Sequence, residues 1–475
     1  MKNLIYTIIV LTFFSGCNDM LEENPKAIAS KTFYNTAEEI AAALNGVYEP
    51  IHGSKFTSYF TLLEACPDNV YGKGSLATIS KYKGFSTANI TNMGHVWTAL
   101  YLSIRNANVV IKNTPAGTRI SEEKKAQFVG EAKFLRAFDY FALVRLWAGV
   151  PLRTEKTMDV INLPRASVED VYKLILSDLE YAEEHLPDNP RLLGTPSKWT
   201  AKTLLADVYL TLKKWENARD KAKEVIDSGK YSLVQVSEPD DFEKIYGADI
   251  LTTTEEIFYF KYTDQKGWDL MSFFHINGDG YKPYGNNWYS FYSTTDNYFY
   301  KNWDDNDLRK QHNFYPWNIG LGANTMLFKK YIDPNGTTSA SNDWPIYRYP
   351  EVLLIYAEAA NWANGGPTTE AMEYVNKVHR RGYGYNSEIE SPVDFKLSDY
   401  NVNSFFELVL RERGYEMILE CKRWLDLLRT NKAVETIKRS EGIDLDTSML
   451  LWAIPVIETN YNKAIDPVKD QNPGY

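Results

Sequence analysis

The sequence predicts a mainly α fold in which paired antiparallel helices form a frame, interrupted by a large irregular, loop-rich insertion. Three observations point there. Long segments repeat apolar residues at three- and four-residue spacing, the period of an amphipathic helix. Two of these segments carry the same plan of small residues, with more than 100 residues between them. The stretch between is rich in aromatic, Gly and Asn residues and has no helical period, which is loop composition. With 44% hydrophobic and 24% charged side chains, the 475-residue chain can bury a large core.

The elements follow in chain order. Lys2 gives a positive start, Leu4 to Phe14 is almost wholly apolar, and Ser15-Gly16 precede Cys17. The apolar run is about 11 residues, too short for a membrane-spanning helix of about 20. It matches the apolar region of a secretory signal peptide. Small residues followed directly by Cys resemble a bacterial lipoprotein signal, in which Cys17 would be acylated and become the new N-terminus. A plain secretory signal with an incidental cysteine is the alternative. Residues 1–16 are therefore expected to be a signal peptide, 17–34 a lipid-anchored acidic tether, and 35–475 one domain. Within it, the frame covers about 35–240 and 345–475 and the insertion about 241–344.

The first helix starts in "TAEEIAAALNGVYEPI", where Thr36 and Glu39 form a T-x-x-E capping box and Ile40, Leu44 and Val47 follow at helical spacing. Residues 92–112 read as a second helix with Val96, Leu100, Ile104 and Val110 near one face. A third starts at "EEKKAQF" and ends before Pro151, and a fourth starts at Ser167. In "WTAKTLLADVYLTLKKWENARDKAKEVIDSGKY", Leu205-Ala206, Tyr209 and Ala218 occupy tetratricopeptide-repeat positions, with small residues where two helices touch. "YPEVLLIYAEAANWANGGPTTEAMEYVNKVHRRG" repeats the plan, with Ala357 and Ala371 two residues further apart than Ala206 and Ala218. The gap between these pairs excludes a solenoid continuous in sequence. One long last helix is expected over 404–432, with Arg413, Glu416, Glu420, Arg423, Asp426 and Arg429 as a ladder of alternating sign. The proline-punctuated tail from Leu450 to Tyr475 is expected to lie extended against the body.

Chemistry leaves few traces. The net charge of −10 offers no basic surface for nucleic acid. The six His show no helical metal-ligand spacing, and H-E-x-x-H, G-x-S-x-G, Walker and G-x-G-x-x-G motifs are absent. Three Cys cannot make a zinc ribbon. Export permits a Cys66–Cys421 disulfide, but two free, buried thiols are the expectation. Asp304, Asp305 and Asp307 are the carboxylates a glycosidase would draw on; a solvated charged loop is expected instead. "DDNDLRK" lacks the Gly and terminal Glu of a calcium loop. No cofactor or metal is implied.

Aromatics stand out: 33 Tyr, 22 Phe and 12 Trp. From Trp268 to Trp303, 13 of 36 residues are aromatic, where the chain average would give about 5. Aromatics on a Gly/Asn loop fit a sugar, whose C–H face takes a ring and whose hydroxyls take Asn, Asp or Arg. Packing of the insertion's own core is the alternative. Phe291, Tyr298, Phe299 and Tyr300 are expected to pack. Trp268, Tyr281, Tyr284, Asn286, Asn287, Trp288 and Tyr289 are the candidate ligand contacts. A second polar and aromatic loop, "ACPDNVYGKGSLATISKY", adds Asp68, Asn69 and Tyr71, with a structural turn as the alternative. The aromatic content favours a sugar over an acidic or strongly cationic ligand.

Together, "GEAKFLRAFDYFALVRLWAGVPL", "YRYPEVLLIYAEAAN", "RERGYEMILECKRWLDLLR" and the terminal "QNPGY" resemble signature stretches of the SusD/RagB family. The resemblance implies a SusD-like fold, with four tetratricopeptide-like helix pairs and a ligand site in the irregular region. It implies an outer-membrane lipoprotein, anchored at Cys17 and facing the outside, that is not an enzyme. Such a protein binds nutrients, most often oligosaccharides, and closes as a lid over a SusC-like TonB-dependent transporter barrel. A secreted glycoside hydrolase and a binder of peptide or another nutrient are the rival functions. The family often has Gly where this chain has Cys421, so a larger side chain must fit where close helix approach is expected. No ligand-binding residue carries over from the family.

Overall fold

The computed structural model describes residues 33–263, 267, 290–335 and 340–475. Among these are twelve helices of seven residues or longer. The first, α1 (Ala37–His52), starts at the capping box: the Thr36 hydroxyl accepts from the Glu39 N–H at 3.3 Å, and Glu39 Oε2 accepts from the Thr36 N–H at 3.1 Å. It is followed by α2 (Thr57–Glu64) and α3 (Thr87–Asn113). The latter starts five residues earlier than apolar spacing indicates, because Ser86 and Asn89 form a capping box with Asn in the third position. Next come α4 (Glu122–Trp147), α5 (Val168–His185, capped by Ser167), α6 (Lys198–Thr211) and α7 (Trp215–Asp227). The frame resumes with α8 (Tyr349–Ala363), α9 (Thr369–Gly382), α10 (Val402–Glu416), α11 (Arg423–Arg429) and α12 (Ala433–Glu441).

From α3 onward each helix packs on the next, and α7 packs directly on α8. The repeat pairs are therefore far apart in sequence but continuous in space. Ala218 and Ala222 on α7 and Ala357, Ala359 and Ala360 on α8 are fully buried, and such small side chains let helices approach closely. Trp215 and Trp362 stack across this contact at 5.9 Å and 25°. The chain between α7 and α8 is looped out of an uninterrupted helical stack.

The expected single helix over 404–432 is broken. Residues 417–422 form a turn between α10 and α11, with Leu419 and Cys421 at φ of 60° and 61°. Donors from distant parts of the chain take the carbonyls that a helix would use. Arg348 donates to the Glu416 C=O at 2.5 Å, Lys330 to the Ile418 C=O at 2.9 Å, and the Tyr331 hydroxyl to the Leu419 C=O at 3.0 Å. The Cys421 N–H donates to Glu64 Oε1 at 2.5 Å. Cys421 thus occupies a left-handed position, where glycine is cheapest. The constraint here is this backbone angle, in a turn, and the close approach within a continuous helix that was expected does not occur. Cys66 and Cys421 are free and buried.

Six short strands complete the described residues. Strands β1 (Tyr71–Gly72), β3 (Phe291–Thr294), β5 (Thr325–Phe328) and β4 (Phe314–Pro316) form one antiparallel sheet in the order β1-β3-β5-β4. The pair β2 (Glu256–Phe260) and β6 (Trp344–Arg348) is also antiparallel, and β6 runs straight into α8. The tail includes a short helix, Val456–Tyr461, and is held by side chains rather than lying merely extended. Asn472 donates to the carbonyls of Trp147 and Trp452 at 3.1 and 2.7 Å, and Gln471 exchanges two hydrogen bonds with the Ile454 backbone.

Candidate functional site

A seam of buried charge ties the strands to the frame. Arg348, at the end of β6, reaches Glu255 at 3.2 Å, Glu416 at 2.5 Å and Glu420 at 2.9 Å. Arg381 on α9 meets Glu255 at 2.8 Å and also pairs with Glu416. Arg309 binds Asp307 at 2.6 Å and Glu412 at 3.0 Å, and Lys330 binds Glu420 at 2.5 Å. All of these side chains are at most 2% exposed. Burial alone would raise the Glu416 carboxyl, but the guanidiniums of Arg381, Arg348 and Arg309 outweigh it and hold its pKa down to about 2. Glu416, Glu420, Arg413 and Arg423 of the sequence ladder therefore pair across elements, while Asp426 and Arg429 also pair along α11 at 2.8 Å. Asp307, expected in a solvated loop with Asp304 and Asp305, is buried here; only the other two are exposed.

Against this seam sits the loop that leads into β1. Asp68, a candidate for ligand hydroxyls, is buried, and Arg423 donates to both its oxygens at 2.9 and 3.0 Å. Asn69 is also buried, and its amide has no hydrogen-bond partner among the described residues. The Ser80 hydroxyl closes the loop, accepting from the Gly72 N–H at 2.6 Å and donating to the Ala65 C=O at 2.9 Å. Gly72 is required there, since a Cβ would lie 2.5 Å from that of Leu76.

Tyr71 stays half-buried. In register it faces Tyr292, with ring centroids 5.6 Å apart, and the Lys73 N–H donates to the Ser290 C=O at 2.7 Å. The Tyr71 hydroxyl donates to Glu441 Oε1 on α12 at 3.1 Å. Burial pushes both the phenol and the Glu441 carboxyl above their ordinary pKa values. The structure thus brings one candidate loop to the residue that directly follows Tyr289 in the chain. Trp268, Tyr281, Tyr284, Asn286, Asn287, Trp288 and Tyr289 lie outside the described residues, as does Cys17.

Beside this strand pair opens a cavity of about 500 Å³, within the range of ligand pockets. Asp68, Tyr298, Asn302, Tyr400, Arg411 and Arg439 are part of its wall. Phe291 and Phe299 are buried as expected for packing residues, but Tyr298 is 39% exposed. Its neighbour Asn297 fixes the place: the amide donates to the Asp68 C=O at 2.9 Å and its oxygen accepts from the Tyr300 N–H at 3.0 Å. Sequence reasoning missed Arg411 and Arg439. The available signal was that Arg411 lies one position off the buried Glu412-Arg413 face. No cluster of three or more His, Cys, Asp or Glu could hold a metal ion among the described residues. Among them, too, no helix is long and apolar enough to cross a membrane.

Comparisons with known proteins cover both halves of the chain. A family model described as "Starch-binding associating with outer membrane" matches residues 19–210, and one described as "SusD family" matches residues 256–475. SusD-like protein P2 of Formosa agariphila is 30% identical over the full length of both chains. SusD-like protein P25 of the same organism is 24% identical over 92% of this chain and 91% of its own. Among solved structures, a SusD homolog from Bacteroides thetaiotaomicron superposes with a TM-score of 0.78 at 23% identity, covering 94% of this chain and 98% of that one. Surface glycan-binding protein A from the same species gives 0.76 at 20% identity, covering 93% of this chain and 100% of that one.

Proposed function

The chain belongs to the SusD/RagB family, and on that premise we propose that it captures oligosaccharides at the outer face of the outer membrane and delivers them to a SusC-like TonB-dependent transporter. The observation that carries the site assignment is the β1–β3 register, which sets Tyr71 against Tyr292, a residue of the aromatic-rich stretch. Two adjacent, half-buried Tyr rings offer an apolar surface with polar tips, suited to a sugar face and its hydroxyls. Trp288 and the aromatic and Asn residues near it in the sequence are the further ligand contacts of this reading. Asp68 acts as a positioning residue that holds Arg423, not as a hydroxyl reader. Capture involves no bond cleavage. Cys17 carries the lipid, and the acidic stretch to residue 34 lets the domain move over the barrel. The similarity to surface glycan-binding proteins supports the choice of ligand class.

Affinity electrophoresis on a panel of polysaccharides tests this. Retardation is expected with at least one glycan, with no new reducing ends released. Trp288→Ala and the Tyr71→Ala/Tyr292→Ala pair are expected to abolish it, Trp288→Ala with little change in the thermal melt. Retardation by no glycan, or catalytic release of reducing ends, would overturn the reading.

A further inference from the structure

The cavity beside β1 and β3 has an unbalanced charge. Two carboxylates line it, and each already has a cationic partner. Asp68 receives both arms of Arg423, and Glu407 is 3.0 Å from Lys432. Two further guanidiniums on the same wall are held only loosely by carboxylates. Arg439 on α12 makes no ion pair or hydrogen bond among the described residues, and it is exposed. Arg411 on α10 lies against the Tyr400 hydroxyl and 5.7 Å from the Phe395 ring centroid, but its nearest carboxylate oxygen, Glu412 Oε1, is at 3.9 Å, beyond hydrogen-bond reach, and its side chain is 48% exposed. Glu412 is in any case engaged by Arg309 at 3.0 Å and His379 at 3.4 Å. The chain as a whole carries a net charge of −10, so this is a local cationic spot on an acidic protein.

Aromatic surface stands next to the cations. The Arg439 guanidinium lies 5.9 Å from the Tyr298 ring centroid, and Tyr298 is 39% exposed. Deeper in the wall, Tyr415 is locked by stacking on Trp303 at 4.3 Å and 7°. Arginine is the side chain suited to planar or tetrahedral oxyanions, because its donors form a fixed fork. Exposed guanidiniums without a carboxylate in hydrogen-bond reach, beside a partly exposed ring, match a ligand that has both a sugar face and a negative charge.

Resting on the glycan-binding reading above, we propose that this cavity takes an acidic sugar residue, bearing a carboxylate or a sulfate ester, with Arg411 and Arg439 binding the anion and Tyr298 flanking the ring. The ligand is then an anionic glycan, bound across the Tyr71–Tyr292 surface and into the cavity.

The test is isothermal titration of the purified protein with oligosaccharides of matched length in three classes: neutral, uronate-containing and sulfated. The expected result is preferential binding of an acidic class, weakening as NaCl is raised. The two acidic arms tell carboxylate from sulfate. Arg411→Ala and Arg439→Ala should each weaken acidic binding roughly tenfold, with the melting temperature unchanged, and Arg411→Lys should recover part of the loss. Equal or tighter binding of the neutral class, indifferent to both substitutions and to salt, would overturn the anionic assignment and leave the glycan reading standing. Binding of no class would overturn both.

Discussion

Two faces of helix α10 treat charge in opposite ways. Inward, Glu412, Arg413 and Glu416 are at most 3% exposed, and each is met by opposite charges from other elements. Outward, Arg411 stands 48% exposed with no carboxylate within hydrogen-bond reach. The inward set costs desolvation and repays it only because every member is paired; removing one leaves an uncompensated buried charge. The outward guanidinium is half exposed and held only by Tyr400, Phe395 and a distant Glu412 oxygen, so it gives up little desolvation on folding. Within one element, complete pairing of buried charge contrasts with loose pairing of an exposed one.

The most direct way to break the comparison is to remove an inward partner. Arg348→Met is expected to destabilise the protein by about 3–5 kcal/mol, because Glu255, Glu416 and Glu420 lose their shared cation. Arg348→Lys should cost less. Urea unfolding measures both, and a loss below about 1 kcal/mol for the Met variant would mean the seam is not stabilised by its pairing.

A second test uses Glu64, a buried carboxyl that lacks a cation within ion-pair distance. Burial pushes Glu64 up to about 7, although the Cys421 N–H bond opposes it. A carboxyl raised in the folded state contributes stability that is full below its ordinary value near 4.5 and is lost as pH rises to about 7. That difference corresponds to about 3 kcal/mol. Glu416 and Asp426, both held near 2 against burial by arginines, work the other way. Their contribution is present above the unfolded carboxyl value and is lost as pH falls toward 2. Glu64→Gln should therefore flatten the fall in stability between pH 4.5 and 7 and leave the acid limb untouched; an unchanged slope in unfolding titrations would contradict the assignment.

Smaller effects sharpen the contrast. Thr36→Ala removes a cap at the start of the frame and is expected to cost about 1 kcal/mol. Arg411→Ala, on the outward face, should cost no more than about 0.5 kcal/mol in the same unfolding assay, while its effect on acidic-glycan binding is large. If it destabilises as much as Thr36→Ala, the outward arginine has a structural role and the two faces do not differ in kind.

Local features were legible in the sequence. The Thr36–Glu39 box and the Ser167 cap need only residues within one turn of each other, and both are present. The paired helices with small contact residues were equally readable, since periodicity and side-chain size are local properties. The break at residues 417–422 was not, because its donors come from residues 64, 330, 331 and 348. Helical spacing alone favours continuing through Met417 to Lys422. The burial of Asp68 was hidden for the same reason, since its partner Arg423 lies 355 residues away in sequence. At the site, Tyr71 was singled out and pairs with Tyr292 of the insertion; Tyr298 was expected to pack yet is 39% exposed, and Arg411 and Arg439 were not singled out. Helical phase sets Arg411 apart from the buried Glu412-Arg413 face, but which carboxylates reach an arginine depends on residues far away in the chain.

By itself the sequence determined the helical character of the chain, the caps and the signature stretches. These rest on backbone propensity and on patterns a few residues long. Tertiary structure alone decided that the interrupted helix pairs stack without a gap, that a left-handed turn divides the last predicted helix, and which charges are met. Pairing in a low-dielectric interior depends on distances of a few ångströms between residues far apart in the chain, and only the folded chain sets those distances.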